Sequence, residues 1–200
     1  GDPTLRVDHY QSLLSVLKNH GVRAINGRVI LDVSRFSGQS RANGWSWDDL
    51  PSCFTAPSAP IILNRNCTFA QLTSEGPGIP IEIKSSVTAV DPNDYGGDCV
   101  LEANLFIDNK YHLTGCVPAS LKNNRPWPLS LAIYDAERWG IDWTEKIMNR
   151  LGIKVSGGIE ISRTPESDTV TIAHRSSPKL KELVQYMLQK SNNLYADAIA

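Results

Sequence analysis

No apolar run in this 200-residue chain approaches the ~20 residues that a membrane-spanning helix needs. The first residues, Gly1-Asp2-Pro3-Thr4, contain no apolar stretch of the secretory type, so any export signal is expected to have been removed or never included. A surplus of charge is missing too. The formal net charge of −1 gives no basic field for nucleic acid or an anionic bilayer, and no nucleic-acid partner is expected. Internal repeats and low-complexity segments are not evident. The four cysteines, Cys53, Cys67, Cys99 and Cys116, never show the two-to-four-residue spacing of a zinc knuckle, and no metal or other cofactor is expected. What remains is ordinary for a globular chain: 41% hydrophobic and 20% charged residues, enough for one domain or two small ones with a sizeable core.

The cysteines read better as disulfides. Cys99 and Cys116 lie almost symmetrically about Asp108-Asn109, between the strand-like stretches 99–107 and 110–116, as in a β-hairpin stapled near its open end. Of three possible connectivities, 53–67 with 99–116 is the local one, and each loop would contribute roughly 3 kcal/mol on the chain-entropy estimate. An oxidising compartment would follow. The alternative is four reduced cysteines buried in a cytosolic core.

The densest chemistry lies in Gly44-Trp45-Ser46-Trp47-Asp48-Asp49-Leu50-Pro51-Ser52-Cys53-Phe54, which has neither helical nor strand periodicity. It reads as an ordered loop, turning at Asp-Asp-Leu-Pro and tied by Cys53. Acids beside aromatic rings in such a loop point to a pocket for a cation. The competing reading makes the tryptophans core and the aspartates turn caps.

Taken in order, residues 7–20 form an amphipathic helix through Tyr10, Leu13, Leu14 and Leu17, stopping at Gly21, and residues 27–33 form a strand. Ala56-Pro57-Ser58-Ala59-Pro60 marks a boundary, after which 61–133 is strand-rich (67–72, 81–90, the hairpin and 129–133). Helix returns at 135–151 with Trp139, Trp143 and Ile147 on one face, taken as core rather than a sugar-stacking platform, and Gly152 as its stop. Strands at 158–161 and 169–173 follow, then a helix with Ser177 as N-cap and Pro178 as its first residue, leading into Ser191-Asn192-Asn193. The fold class is α+β: a small layered α/β domain (1–60 and 134–173), a nested all-β domain (61–133) and a helical segment (174–200).

Ser191-x-Asn193 after Lys190, with Leu194-Tyr195-Ala196-Asp197 following, resembles the second of three motifs of the penicillin-interacting serine enzymes. Together with Gly1-Asp2-Pro3-Thr4-Leu5, Gly44-Trp45-x-Trp47-x-Asp49, Cys53-Phe54, Ala56-Pro57, Arg65-Asn66-Cys67 and Thr114-Gly115-Cys116, it makes essentially the whole chain similar to the class C D-alanyl-D-alanine carboxypeptidase/endopeptidases. The resemblance implies that this chain is the insertion between the first and second catalytic motifs, followed by a return into the transpeptidase-like domain at about His174. The nucleophilic serine and its lysine would then lie before Gly1 and the K-T-G strand after Ala200. Two S-x-x-K matches, Ser15 to Lys18 and Ser176 to Lys179, fall where the family has no nucleophile and are taken as chance; no Lys-Thr-Gly or Lys-Ser-Gly occurs.

By the same resemblance Ser191 would join the proton relay to the leaving amine, Asn193 would offer its amide to the substrate peptide, and Asp49 with Phe54 would hold the ammonium end of a diaminopimelate side chain. Asp48 is given no role. The expected partners are peptidoglycan stem peptides, with β-lactams acylating the full-length enzyme; a homo-oligomer is left open. The location would be periplasmic or otherwise extracytoplasmic, and the chain alone inactive. The alternative is a secreted, non-catalytic module that binds cell wall or protein.

Overall fold

In this computed structural model the described residues are 1–72, 82–85, 88–90, 100–118, 127–165 and 167–200, arranged as a mixed α+β fold. Helix α1 (Val7–Asn19) coincides with the predicted amphipathic segment and turns Tyr10 and Leu14 toward helix α2 (Ala136–Leu151). The second helix starts where the Asp135 side chain accepts from the Arg138 N–H at 2.9 Å, and stops at Gly152, whose φ of 72° suits the left-handed position a C-terminal cap requires. Trp139, Trp143 and Ile147 are buried with Leu63 and Ile133, so the tryptophan stripe is core. Gly140 permits this closeness: a Cβ there would meet the Ile61 side chain at 2.9 Å.

After α1 the chain adds strands β1 (Ala24–Ile25) and β2 (Val29–Asp32). After α2 it adds β9 (Lys154–Val155) and β10 (Ile159–Ser162). β1 pairs with β9 and β2 with β10, both parallel. Two helix–strand–strand units therefore lie side by side, a repetition of architecture that the sequence does not display as a repeat. Pairs this short carry too few positions for similarity to emerge, and alternating apolar residues are all the pairing needs.

Between these units lie β3 (Cys67–Leu72), β4 (Glu82–Ser85), β5 (Thr88–Val90), β6 (Leu101–Phe106), β7 (Lys110–Pro118) and β8 (Trp127–Ala132). β3 and β8 form an antiparallel ribbon. β6 and β7 form the predicted hairpin, with Asp108 and Asn109 at positive φ in its turn, and β4 and β5 run parallel to β7 along its other edge. Tyr111 and Leu113 of β7 pack on Leu129 and Leu131 of β8, and the Tyr111 hydroxyl donates to the Ala132 carbonyl.

Cys53 and Cys67 are joined, with Cα atoms 5.3 Å apart. Cys116 is also disulfide-bonded; Cys99, its expected partner, lies outside the described residues.

Two predicted local features change, and one helix is added. Residues 169–173 pair with no strand among the described residues: Val170 is 85% and Ile172 63% exposed, so their alternation has no sheet to face. The last long helix, α3 (Leu180–Lys190), starts after Lys179, which is extended at φ −62° and ψ 147°, so Ser177 and Pro178 precede the helix rather than cap it. A further helix, α4 (Asn193–Ile199), follows at once; seven residues are too few to show helical periodicity, but the Asn192 side chain caps it by accepting from the Tyr195 N–H at 3.1 Å.

Candidate functional site

The tryptophan loop is held by backbone and by one threonine. Residues 47–49 form a 3-10 turn, the Ser52 N–H donates to the Asp49 carbonyl at 2.8 Å, and residues 53–55 form a second such turn. Buried Thr55 donates its hydroxyl to the Asp49 and Ser52 carbonyls, both at 2.9 Å. The Pro51 carbonyl accepts from the Ala132 N–H at 2.7 Å, which hangs the loop on β8, while Cys53 is bonded to the first residue of β3. A loop without regular periodicity is thus fixed at four points.

Its aromatic rings are not core. Trp47 is 75% and Phe54 51% exposed, and Trp45 sets its ring edge-on to Phe54 at 5.6 Å between centroids. This removes the reading in which the tryptophans fill the interior. Asp49 is half-buried within its turn, and Asp48 beside it is exposed.

The predicted Ser-x-Asn segment lies against this loop. Ser191 ends α3 in the left-handed conformation at φ 46°, and that sharp corner turns the chain so that Asn193 opens α4. The Asn193 Nδ2 donates to the Phe54 carbonyl at 3.0 Å. Leu194 and Tyr195 are buried, the Tyr195 ring stacks on Tyr186 at 4.7 Å, and the Tyr186 hydroxyl accepts from Arg65 at 3.2 Å. Burial, and then the neighbouring Tyr186, holds the Tyr195 phenol above its ordinary pKa. The segment 180–199 therefore covers part of its apolar face within this chain, although Leu180 and Leu188 remain exposed.

Of the four residues picked from sequence, Phe54 and Asn193 are in direct contact; Asp49 is on the same loop, and Ser191 is two residues from Asn193. Neither S-x-x-K serine is set up for attack. The Ser15 hydroxyl donates to the Ser12 carbonyl at 2.6 Å within α1, and Ser176 and Lys179 are exposed on irregular chain. Among the described residues no group of three His, Cys, Asp or Glu side chains could hold a metal ion. Trp45 and Asn192 were named in their motifs without a role, since a ring contact nine residues away leaves no local pattern and the α4 that Asn192 caps is too short to show one.

The D-Ala-D-Ala carboxypeptidase 3 (S13) family matches the chain over residues 1–200. The chain belongs to that family. It is 31% identical over 210 residues to the D-alanyl-D-alanine carboxypeptidase DacB of Haemophilus influenzae, across 100% of this chain and 43% of that protein. It is 20% identical over 216 residues to the D-alanyl-D-alanine carboxypeptidase of Actinomadura sp. (strain R39), across 40% of its length. The chain thus spans less than half of each of these relatives. Its fold is similar to the crystal structure of penicillin binding protein 4 (dacB) from Haemophilus influenzae, with a TM-score of 0.86 and 30% identity over 99% of this chain and 45% of that one. A structure of the Haemophilus protein complexed with a β-lactam matches at a TM-score of 0.78 and 25% identity, covering 100% of this chain and 43% of the other.

Proposed function

We propose that this chain is the substrate-recognition portion of a serine D-alanyl-D-alanine carboxypeptidase/endopeptidase acting on peptidoglycan stem peptides. The observation that carries the reading is the Asn193 to Phe54 hydrogen bond, which joins the Ser-x-Asn segment to the loop bearing Asp49. Spanning 43% of the Haemophilus relative fits a part of a larger enzyme. Residues 1–60 with 134–173 form an inserted α/β domain, 61–133 a nested β domain, and 174–200 part of the transpeptidase-like domain. In the full-length enzyme a serine outside this chain attacks the D-Ala carbonyl, forms an acyl-enzyme that water releases, and is acylated by β-lactams in the same way. Ser191 serves the proton relay to the leaving amine. Asn193 supplies an amide that both donates and accepts toward the substrate peptide, and Asp49 with the exposed Phe54 face holds the ammonium of a diaminopimelate side chain. The Cys53–Cys67 disulfide supports a location outside the cytoplasm, in the periplasm or its equivalent.

The test is Asp49→Asn in the full-length enzyme. An isosteric amide keeps the shape and loses the charge; a charge-assisted hydrogen bond of about 1.5–3 kcal/mol corresponds to a roughly ten- to hundred-fold loss in kcat/KM on amine-bearing peptides. Peptides lacking the amine should turn over nearly as before. Equal losses on both substrates would make Asp49 a turn residue and end the pocket reading.

A further inference from the structure

The chain bends sharply at Asn64-Arg65-Asn66, where three successive residues stand at positive φ of 52°, 61° and 46°. Asparagine tolerates that region better than most residues, and arginine has no such preference. The two asparagines also hold the bend in place. The Asn64 Oδ1 accepts from the Val7 N–H at 3.1 Å at the start of α1, and buried Asn66 bonds the backbone of Leu63, Pro57 and Ile61. Nothing in the bend calls for an arginine between them. A third asparagine, or a glycine, would meet the same φ with less strain, and a strained residue retained beside a candidate site points to a use for its side chain.

What the arginine adds is reach. Its Nη1 donates to the Tyr186 hydroxyl of α3 at 3.2 Å, and the Tyr186 ring lies 4.7 Å from the ring of buried Tyr195 in α4. These rings join α3 to α4 across the corner formed by Ser191 at φ 46°. Just past the corner, Asn193 donates to the Phe54 carbonyl. The two anchor points, Arg65 and Phe54, are tied to one another through few bonds. Arg65 is followed by Asn66 and Cys67, Cys67 is bonded to Cys53, and Phe54 comes next.

We propose that Arg65 is a positioning residue for the acyl transfer: through the Tyr186 hydroxyl it sets where the α3–α4 corner, and with it Ser191 and Asn193, stands against the tryptophan loop. The inference rests on the roles proposed above for Ser191 and Asn193, and Arg65 acts through them rather than on the substrate. Misplacing a reacting group by about 1 Å can cost on the order of a hundredfold in rate even when the change is remote. Loss of one anchor while the Asn193 bond remains is expected to cost about five- to tenfold. The loss falls on all substrates alike, because Ser191 and Asn193 serve every acyl transfer whereas Asp49 serves only the amine.

The test uses the full-length enzyme, with the rate of acylation by a penicillin and the release of D-Ala from amine-bearing and amine-free peptides as readouts. Asparagine suits a φ of 61° and is too short to reach Tyr186, so Arg65→Asn should keep or raise the thermal midpoint while acylation and both turnovers fall about five- to tenfold. Tyr186→Phe keeps the ring contact with Tyr195, removes the acceptor and should give the same loss. The double variant should fall no further than either single one. Parent rates in Arg65→Asn or Tyr186→Phe, losses that multiply in the double variant, or a loss confined to amine-bearing peptides would overturn the proposal. So would a loss that disappears once rates are referred to the folded fraction, which would make Arg65 purely structural. Asn193→Ala separates this inference from the reading beneath it. If Asn193→Ala is acylated at the parent rate, the Ser-x-Asn assignment fails and takes the role of Arg65 with it. If Asn193→Ala is slow and Arg65→Asn is not, the role of Arg65 alone fails.

Discussion

Asn66 and Asn109 are fully buried, and each stands at positive φ, a region asparagine tolerates better than most residues. Asn66 donates to the Pro57 and Ile61 carbonyls, both at 3.0 Å, and accepts from the Leu63 N–H at 3.1 Å. Asn109 donates to the Asp135 carbonyl at 2.9 Å and accepts from the N–H groups of Tyr134 and Asp135 at 2.9 and 2.8 Å. Each amide satisfies three backbone groups where the chain passes between the β strands and the helical layer. Asn66→Ala leaves two buried carbonyls and one N–H unpaired at about 1–3 kcal/mol each, partly relieved by relaxation, so a loss of about 3 kcal/mol is expected in urea denaturation. A loss below about 1 kcal/mol would show that water replaces the amide. In sequence Asn66 is only one letter of Arg-Asn-Cys; its burial depends on residues far along the chain.

The tryptophan loop owes its shape to anchors more than to its own propensities. The disulfide closes a loop with a sequence separation of 14, for which the chain-entropy estimate is about 3 kcal/mol. Cys53→Ser with Cys67→Ser should lower stability by about that amount in thermal or denaturant unfolding. If the double variant were as stable as the parent chain, the Pro51 and Thr55 hydrogen bonds would be sufficient anchors. The same loop shows why its two faces could not be separated from sequence. A 3-10 turn places Asp48 and Asp49 in successive directions, Asp48 lining a cleft between the loop and the β strands and Asp49 not, and only the strands packed against it say which.

Across the molecule, burial raises the phenols of Tyr111 and Tyr10 above their ordinary pKa. The folded chain keeps these protons where the unfolded chain, with tyrosines near 10, has begun to lose them. Their contribution is complete below about pH 10 and is lost as pH rises through the folded values. The urea midpoint should therefore fall as pH rises above about 10, and Tyr111→Phe, less stable at neutrality without its bond to the Ala132 carbonyl, should show a shallower fall. An unchanged slope would mean that water reaches the phenol. A second expectation concerns the chemistry of the 200-residue chain alone. With Ser15 hydrogen-bonded into α1 and Ser176 exposed on irregular chain, intact mass spectrometry should find no covalent adduct with a penicillin. An adduct on either serine would overturn the assignment of the nucleophile elsewhere.

Periodicity and punctuation were enough to place α1, α2, the β6–β7 hairpin and the Gly152 stop, because each depends on residues within one or two turns of one another. The Ser-x-Asn segment and the aromatic-acid loop were likewise legible as motifs, together with the local disulfide between Cys53 and Cys67. Packing alone brought the motifs into contact through Asn193 and Phe54, laid β1 and β2 beside β9 and β10, and gave residues 169–173 no sheet partner among the described residues. These outcomes rest on pairings between residues far apart in the chain, where the energy of a contact depends on which surfaces meet. A local pattern shows which face of a segment is apolar, but what covers that face is settled by the rest of the folded chain.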